Sequence, residues 1–295
     1  MRTYLDCIPC FARQALDAAR LATNDENVQQ QVIKQVLVLS NELDMTQSPP
    51  LMGQKIHRLI RKMVGTNDPY LKVKTKFNEV ALKLYPKLRQ TIINAESPPV
   101  TAVRLAIAGN LIDFGVYGTL QETNLEEMVS QCLSDKFEDT QLELFRSAVN
   151  DAKDILYLAD NAGEIIFDRL LIERLPVEKV AVAVKGSPVI NDATMEDALL
   201  AGLPRIVEVI DNGSDAPGTI LESCSGYFQD RFEKADLIIA KGQGNYETLS
   251  NVDKNIFFIL KAKCPVIAKD IGCEVGQMIF QKTKSFKGEI ENARI

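Results

Sequence analysis

The chain has 295 residues, 46% of them hydrophobic and 25% charged, with a formal net charge of −6. This is globular rather than disordered composition, with room for one large domain or two ordinary ones. The acidic balance argues against nucleic-acid binding, and an acidic protein that handles phosphates needs a local device, such as a metal, to offset repulsion. No apolar run is long enough to span a bilayer, and residues 1–14 lack an apolar signal core, so a cytoplasmic protein without a membrane partner is expected, its six cysteines thiols rather than disulfides.

The first half has helical periodicity. A helix is predicted over 11–21, after Cys7-Ile8-Pro9-Cys10, and another over 26–43 with Val28, Val32, Val36 and Leu39 on one face. Ser48-Pro49-Pro50 opens a third that runs to about 64, and 65–69 breaks it. A fourth fits 70–94. Ser97-Pro98-Pro99 then opens a short apolar helix leading into Ala108-Gly109-Asn110, and two more fit 125–134 and 139–150. From Asp154 the period changes. Short β-branched runs, at 155–158, 180–184, 206–210, 237–240, 256–260 and 266–268, alternate with helical stretches. That alternation predicts a parallel sheet with crossover helices. The expected fold is α/β: a helical N-terminal region over 1–150, then a Rossmann-like, mostly parallel sheet flanked by helices over 151–295. The tail 282–295 has no clear pattern.

Parallel strands place their carboxyl ends on one rim, where open α/β sheets bind ligands. The first strand delivers Asp160 and Asn161, with Glu164 a turn into the next helix. The second ends in Lys185-Gly186-Ser187-Pro188, followed by Asn191 and Asp192. The third gives Asp211-Asn212-Gly213-Ser214, and the fourth Lys241-Gly242-Gln243-Gly244-Asn245. Carboxylates and amide oxygens are hard ligands that suit Mg²⁺, Mn²⁺ or a similar ion. Helix N-termini and lysines beside them suit phosphate. Each piece also has a plain reading: Asp160 and Asn161 as helix caps, Asp192 likewise, Lys241-Gly242 as a surface turn. Lys185, directly after a strand, is a candidate phosphate or substrate contact. Ser214 and Thr219 fit a pocket wall or an ordinary turn equally well.

Three motifs stand in order: Asp160-Asn161-Ala162-Gly163-Glu164, then 185–194 (Lys-Gly-Ser-Pro-Val-Ile-Asn-Asp-Ala-Thr), then 235–247 with Lys241-Gly242-Gln243-Gly244-Asn245-Tyr246-Glu247. Together they resemble the metal-dependent damage-control phosphatase family, long listed as a domain of unknown function. Gly109-Asn110 with Asp113, and Cys7-x-x-Cys10, resemble its archaeal and bacterial branch. The resemblance covers nearly the whole chain. It implies hydrolysis of small phosphomonoesters, such as damaged or side-product sugar or cofactor phosphates, with Mn²⁺, Co²⁺, Ni²⁺ or Mg²⁺. By the same resemblance the metal ligands fall on Asp160, Asn161 and Asp192, and the phosphate-binding lysine on Lys241. Gly109, Asn110 and Asn245 fall on the substrate side, where Glu164 and Lys185 are added from the rim. Asp160 is the carboxylate expected to take a proton, and a ligand carboxylate serving as nucleophile, as in aspartyl-phosphate enzymes of other folds, is the other route that the sequence leaves open. Some members carry a basic residue where this chain has Glu247.

A methyltransferase acting on carboxyl groups with S-adenosylmethionine is the alternative enzyme, since acidic strand ends also suit ribose hydroxyls. The Asp-Asn-Ala-Gly-Glu corner differs from the glycine-rich turn expected there. A non-catalytic metal- or phosphate-binding module is the third reading. Cys7 and Cys10 have metal-like spacing, but a structural zinc site needs four ligands, and Cys264 and Cys273 complete one only if the fold gathers them. His57, the single histidine, lies between apolar helix positions and reads as a packing residue.

Overall fold

Two cores are written into one strand. In β1 (Ile155–Leu158) all four residues are buried. Ile155 and Tyr157 join one hydrophobic cluster, Leu156 and Leu158 the other, as the two-residue repeat of a strand requires. The computed structural model describes residues 1–110, 122–134 and 139–283. Among these the sheet has six strands: β1, β2 (Val180–Val184), β3 (Glu208–Asp211), β4 (Leu237–Lys241), β5 (Ile256–Lys261) and β6 (Met278–Lys282). Their order is β3-β2-β1-β4-β5-β6, parallel but for antiparallel β6. The chain builds outward from β1 through β2 to β3, then returns to start β4 on β1's other side. The crevice outside β1 and β4 is therefore the topological switch point.

Helices cover both faces. α8 (Glu164–Ile172) and α9 (Met195–Leu200) share their face with the N-terminal helices α1 (Cys7–Ala22), α2 (Glu26–Asn41), α3 (Pro49–Val64), α4 (Leu71–Ile93) and α5 (Pro98–Gly109). α6 (Glu122–Ser134) and α7 (Asp139–Asp151) complete that half, and α7 ends where the period changes. α10 (Gly226–Lys234), α11 (Gly242–Leu249) and α12 (Pro265–Ile271) pack on the other face. α5 buries every residue from Leu105 to Gly109, as a helix apolar on all sides must, and packs among α4, α6, α8 and β5. Gly109 permits this closeness: a Cβ there would lie 2.8 Å from Phe167 Cβ.

The predicted strands 155–158 and 180–184 match β1 and β2, while 206–210 is displaced to Glu208–Asp211. The run 266–268 is not a strand but the middle of α12. Pro265 opens that helix at its first turn, where the missing N–H costs nothing, and Gly272 closes it at φ 88°. The last strand is β6 instead, a short antiparallel edge strand beside β5. Asp113 and residues 284–295 lie outside the described residues. Among the described residues no helix is long and apolar enough to cross a membrane.

α3 docks on the rim loops through one carboxylate. Asp215 accepts from Gln54 Nε2 at 2.8 Å and Arg58 Nε at 2.8 Å, and pairs with Arg61. Arg61 also donates to the Pro188 carbonyl at 2.7 Å. Burial pushes the Asp215 carboxyl up, but hydrogen bonds from Arg58 and Gln54 and the two guanidinium charges bring it down to about 2. A depressed carboxylate contributes stability above its free value of 3.8 and loses it as pH falls toward about 2. Arg58 is more than half exposed, so solvent screening reduces the contribution to about 1 kcal/mol. Asp215→Asn is therefore expected to lower urea-unfolding stability by about that amount at pH 7. The gap to the wild type should narrow progressively below pH 3.8. A gap that stays constant with pH would contradict this.

Candidate active site

The site begins with a glycine corner. β1 ends at Leu158, and Ala159–Gly163 turns the chain into α8, with Gly163 at φ 76°. The loop after β2 runs alongside. Ala193 N–H donates to the Asp160 carbonyl at 2.8 Å and Ala162 N–H to the Asn191 carbonyl at 2.9 Å. Asn161 thus faces Asp192 across an antiparallel bridge. Two residues before Asp192, Ile190 adopts φ 46°, a strained value for a β-branched residue, of the kind that concentrates at functional sites. The expected metal ligands Asp160, Asn161 and Asp192 therefore come from two loops zipped together at the switch point.

Two amides hold the central carboxylate. Asp160 Oδ2 accepts from Asn110 Nδ2 at 3.0 Å and Asn161 Nδ2 at 2.7 Å. Both amides also donate to Glu164 Oε2, at 2.9 Å and 2.8 Å. Asn110 Oδ1 in turn accepts from Lys261 N–H at 3.1 Å, so the end of α5 ties the crevice to β5. β4 approaches closely as well: Gly242 sits at φ 79°, and a Cβ there would fall 1.8 Å from Asp160 Oδ2. Only glycine fits there.

The negative charge is concentrated. Burial, then Glu164 and Asp192, push the Asp160 carboxyl well above its usual range, against the pull of Lys263 and Lys185. Burial lifts Asp192 to about 6 despite Lys185. Lys185 Nζ lies 3.3 Å from Asp192 Oδ2 and donates to the Gly218 carbonyl. Among the described residues the Lys185 ammonium is the one partner of the buried Asp192 Oδ2, at the long end of ion-pair distance.

Beneath the crevice lies Lys241, expected to meet phosphate. Its ammonium is fully buried. It donates to the Ala106 carbonyl at 2.7 Å, Glu164 Oε1 at 2.8 Å and Asp168 Oδ1 at 2.6 Å. An ammonium has three donors, and all three are committed, so reaching a phosphate would break this cluster. Burial would lower its pKa, but Asp168 and Glu164 more than offset that and hold it raised. Burial lifts Asp168 to about 7, against the pull of Lys241, and Tyr157 Oη donates to it at 2.8 Å. Asn245, expected on the substrate side, donates to the Lys241 carbonyl at 2.8 Å and accepts from Thr219 Oγ1 at 2.7 Å. Ser214 is buried within its loop, its carbonyl taking Gly186 N–H at 3.0 Å. Gly109 serves the α5–α8 contact.

Sequence reasoning passed over Asp168, Tyr157, Lys263 and the α4 residues Lys74 and Asn78. One sign was available: Glu164 and Asp168 lie one turn apart in α8, where every other residue but Arg169 is apolar, and two acids on a buried face require a cation between them. Burial raises the thiols of Cys7 and Cys10, and Cys264 lies near enough to add to both. His57 is buried against Tyr70, its imidazole lowered to about 3 chiefly by burial. Among the described residues no three His, Cys, Asp or Glu side chains are gathered as a metal cage. A hard divalent ion needs none, since it is held by one or two carboxylates and completes its shell with water. The buried Asp192 carboxylate, under-satisfied among the described residues apart from Lys185, and the glycine that leaves the Asp160 carboxylate its space, fit such an ion.

Removing the buried cation should be costly. Lys241→Met leaves Glu164 and Asp168 uncompensated and is expected to destabilise the fold by about 3–5 kcal/mol. Adding Asp168→Asn and Glu164→Gln should recover much of that loss in urea unfolding. A single variant as stable as the wild type would contradict the reading.

A family model described as damage-control phosphatase ARMT1-like domain matches residues 3–279. A damage-control phosphatase of Pyrococcus horikoshii is 38% identical over 291 residues, covering 96% of this chain and 99% of its own. One of Archaeoglobus fulgidus is 36% identical over 281 residues, covering 92% and 96%. An uncharacterised protein of Methanocaldococcus jannaschii is 42% identical over 291 residues, covering 94% of each. The crystal structure of a DUF89 family protein from P. horikoshii matches with a TM-score of 0.88 at 37% identity, covering 96% of this chain and all of that one.

Proposed function

The chain belongs to the damage-control phosphatase family, and on that premise we propose that it hydrolyses small phosphomonoesters with a divalent cation held by Asp160, Asn161 and Asp192. The observation that carries this reading is the pair of zipped loops. They bring an amide and two carboxylates together at the switch crevice, with the buried Asp192 Oδ2 facing Lys185 as its one partner among the described residues. A cation bound there would offset charge on a phosphoryl oxygen and make a bound water more acidic.

The chain's own residues do the rest. Asn110 and Asn161 fix the Asp160 carboxylate through Oδ2, and Asp160 receives the proton of the attacking water. Lys185, buried beside Asp192, and Lys263, half-buried after β5 and near enough to draw down the Asp160 pKa, supply positive charge for the phosphate. Lys241 supports from below, holding Glu164 and through it both amides.

The test is hydrolysis of p-nitrophenyl phosphate by chelator-stripped protein, with Mn²⁺, Co²⁺, Ni²⁺, Mg²⁺ and Zn²⁺ restored singly. Turnover should return with one or more of the first four. Asp160→Ala and Asp192→Ala should each lose at least about 100-fold, since even groups that only touch a metal ligand cost about 10–100-fold. Full metal-dependent activity in either variant would sink the assignment.

A further inference from the structure

The helical half reaches both ligand loops through one side chain. Asn78, on α4, is 4% exposed. Its Oδ1 accepts from Gly163 N–H at 2.7 Å, and its Nδ2 donates to Asp197 Oδ1 at 2.7 Å. Gly163 is two residues from Asn161 and opens α8. Asp197 closes the capping box of α9: its Oδ2 accepts from Thr194 N–H at 2.8 Å and Thr194 Oγ1 at 2.9 Å. Thr194 is two residues from Asp192 and bridges Lys185. One amide thus grips the turn after β1 with its acceptor and the turn after β2 with its donor.

The neighbours make this grip specific. Lys74, one helical turn before Asn78 and also buried, lies 3.0 Å from Asp197 Oδ2 and 3.4 Å from Asp68 Oδ2. Lys74 and Thr194 already occupy Asp197 Oδ2 as donors, and a buried carboxylate oxygen such as Oδ1 needs a donor opposite it. Gly163 N–H is a donor only, so the group opposite it must be an acceptor. A carboxamide is the side chain of this length that supplies both. Backbone contact holds the register: a Cβ on Gly163 would meet Phe77 at 3.0–3.2 Å.

We infer that Asn78, backed by Lys74, is a positioning residue that sets the distance between the Asp160–Asn161 and Asp192 loops. This rests on the metal reading above. Asn78 touches neither ligand carboxylate. It fixes the backbone turn beyond each, so its loss widens the crevice and leaves the ligands themselves intact.

The test swaps polarity across one hydrogen bond in the full-length protein. Asn78→Asp opposes two carboxylates and should weaken Mn²⁺ binding, measured by titration calorimetry, by about 10–100-fold. Amide hydrogen exchange over 159–164 and 191–197, read without metal, should quicken. In Asn78→Asp/Asp197→Asn the amide placed at 197 donates to the carboxylate placed at 78, which still accepts from Gly163 N–H. Lys74 keeps a single negative partner across that pair. The double variant should regain near-native affinity and exchange, a rescue that loss of packing alone does not predict. Asn78→Ala deletes both bonds without adding charge and serves if Asn78→Asp fails to fold. It should weaken Mn²⁺ binding in the same way, with no rescue by Asp197→Asn. A single variant with wild-type affinity and exchange, or a double variant no better than the single, overturns the inference. If the wild type itself binds no Mn²⁺, the metal reading fails, and the exchange experiment still decides for or against the clamp.

Discussion

Everything at the crevice stands on the buried ammonium of Lys241. It joins the end of β4 to α8 through Glu164 and Asp168, and to α5 through the Ala106 carbonyl. A charge taken out of water is tolerated only when its hydrogen bonds are complete and a counter-charge is adjacent, and this one has both. Glu164 turns one oxygen down to the lysine and the other up to Asn110 and Asn161. Those amides then hold Asp160. A single chain of hydrogen bonds therefore runs from the sheet core to the carboxylate at the switch point. The bonds from Lys241 to Asp160 are made, and made networks rigidify a site, although Asp168 Oδ2 beside them has no hydrogen-bond partner among the described residues.

Above that level the balance changes. Asp160, Glu164, Asp168 and Asp192 face the buried ammoniums of Lys185 and Lys241, with Lys74 and Lys263 further off, and burial together with mutual repulsion still lifts Asp160, Asp168 and Asp192. A fold built for stability alone would not collect acids this way. The strained Ile190 and the under-satisfied Asp192 carboxylate belong to the same pattern. Local rules are broken where function, rather than folding, sets the requirement.

The sheet was largely legible because period and punctuation act locally. Buried β-branched runs such as 180–184 have few alternatives, and the Asp160–Glu164 and Lys241–Asn245 corners follow strands directly. Where the same run stood between Pro265 and Gly272, helix caps outweighed β propensity, and α12 replaced the expected strand. The depth of a side chain was not legible. Lys185 and Lys241 stand at strand ends, where a surface turn fits the sequence equally well, yet both are buried, Lys241 completely. Nor were partners distant in the chain: Gly163 and Asn78 are 85 residues apart, and helical periodicity says which face is buried, not what it is buried against.

The helical half is therefore part of the site rather than a cover over it. α3 grips the loops after β2 and β3 through Arg61 and Asp215. α4 grips the turns into α8 and α9 through Asn78. α5 ends in Asn110, which bonds two site carboxylates and the end of β5. These contacts land on the loops at the strands' carboxyl ends or on the elements that flank them, and loops carry little rigidity of their own. A doubly wound sheet brings its acids to one rim but does not fix the spacing between neighbouring loops. Here that spacing is set from outside the sheet, by polar side chains on three packed helices, so the geometry of the crevice depends on residues that a reading of the α/β half alone would leave out.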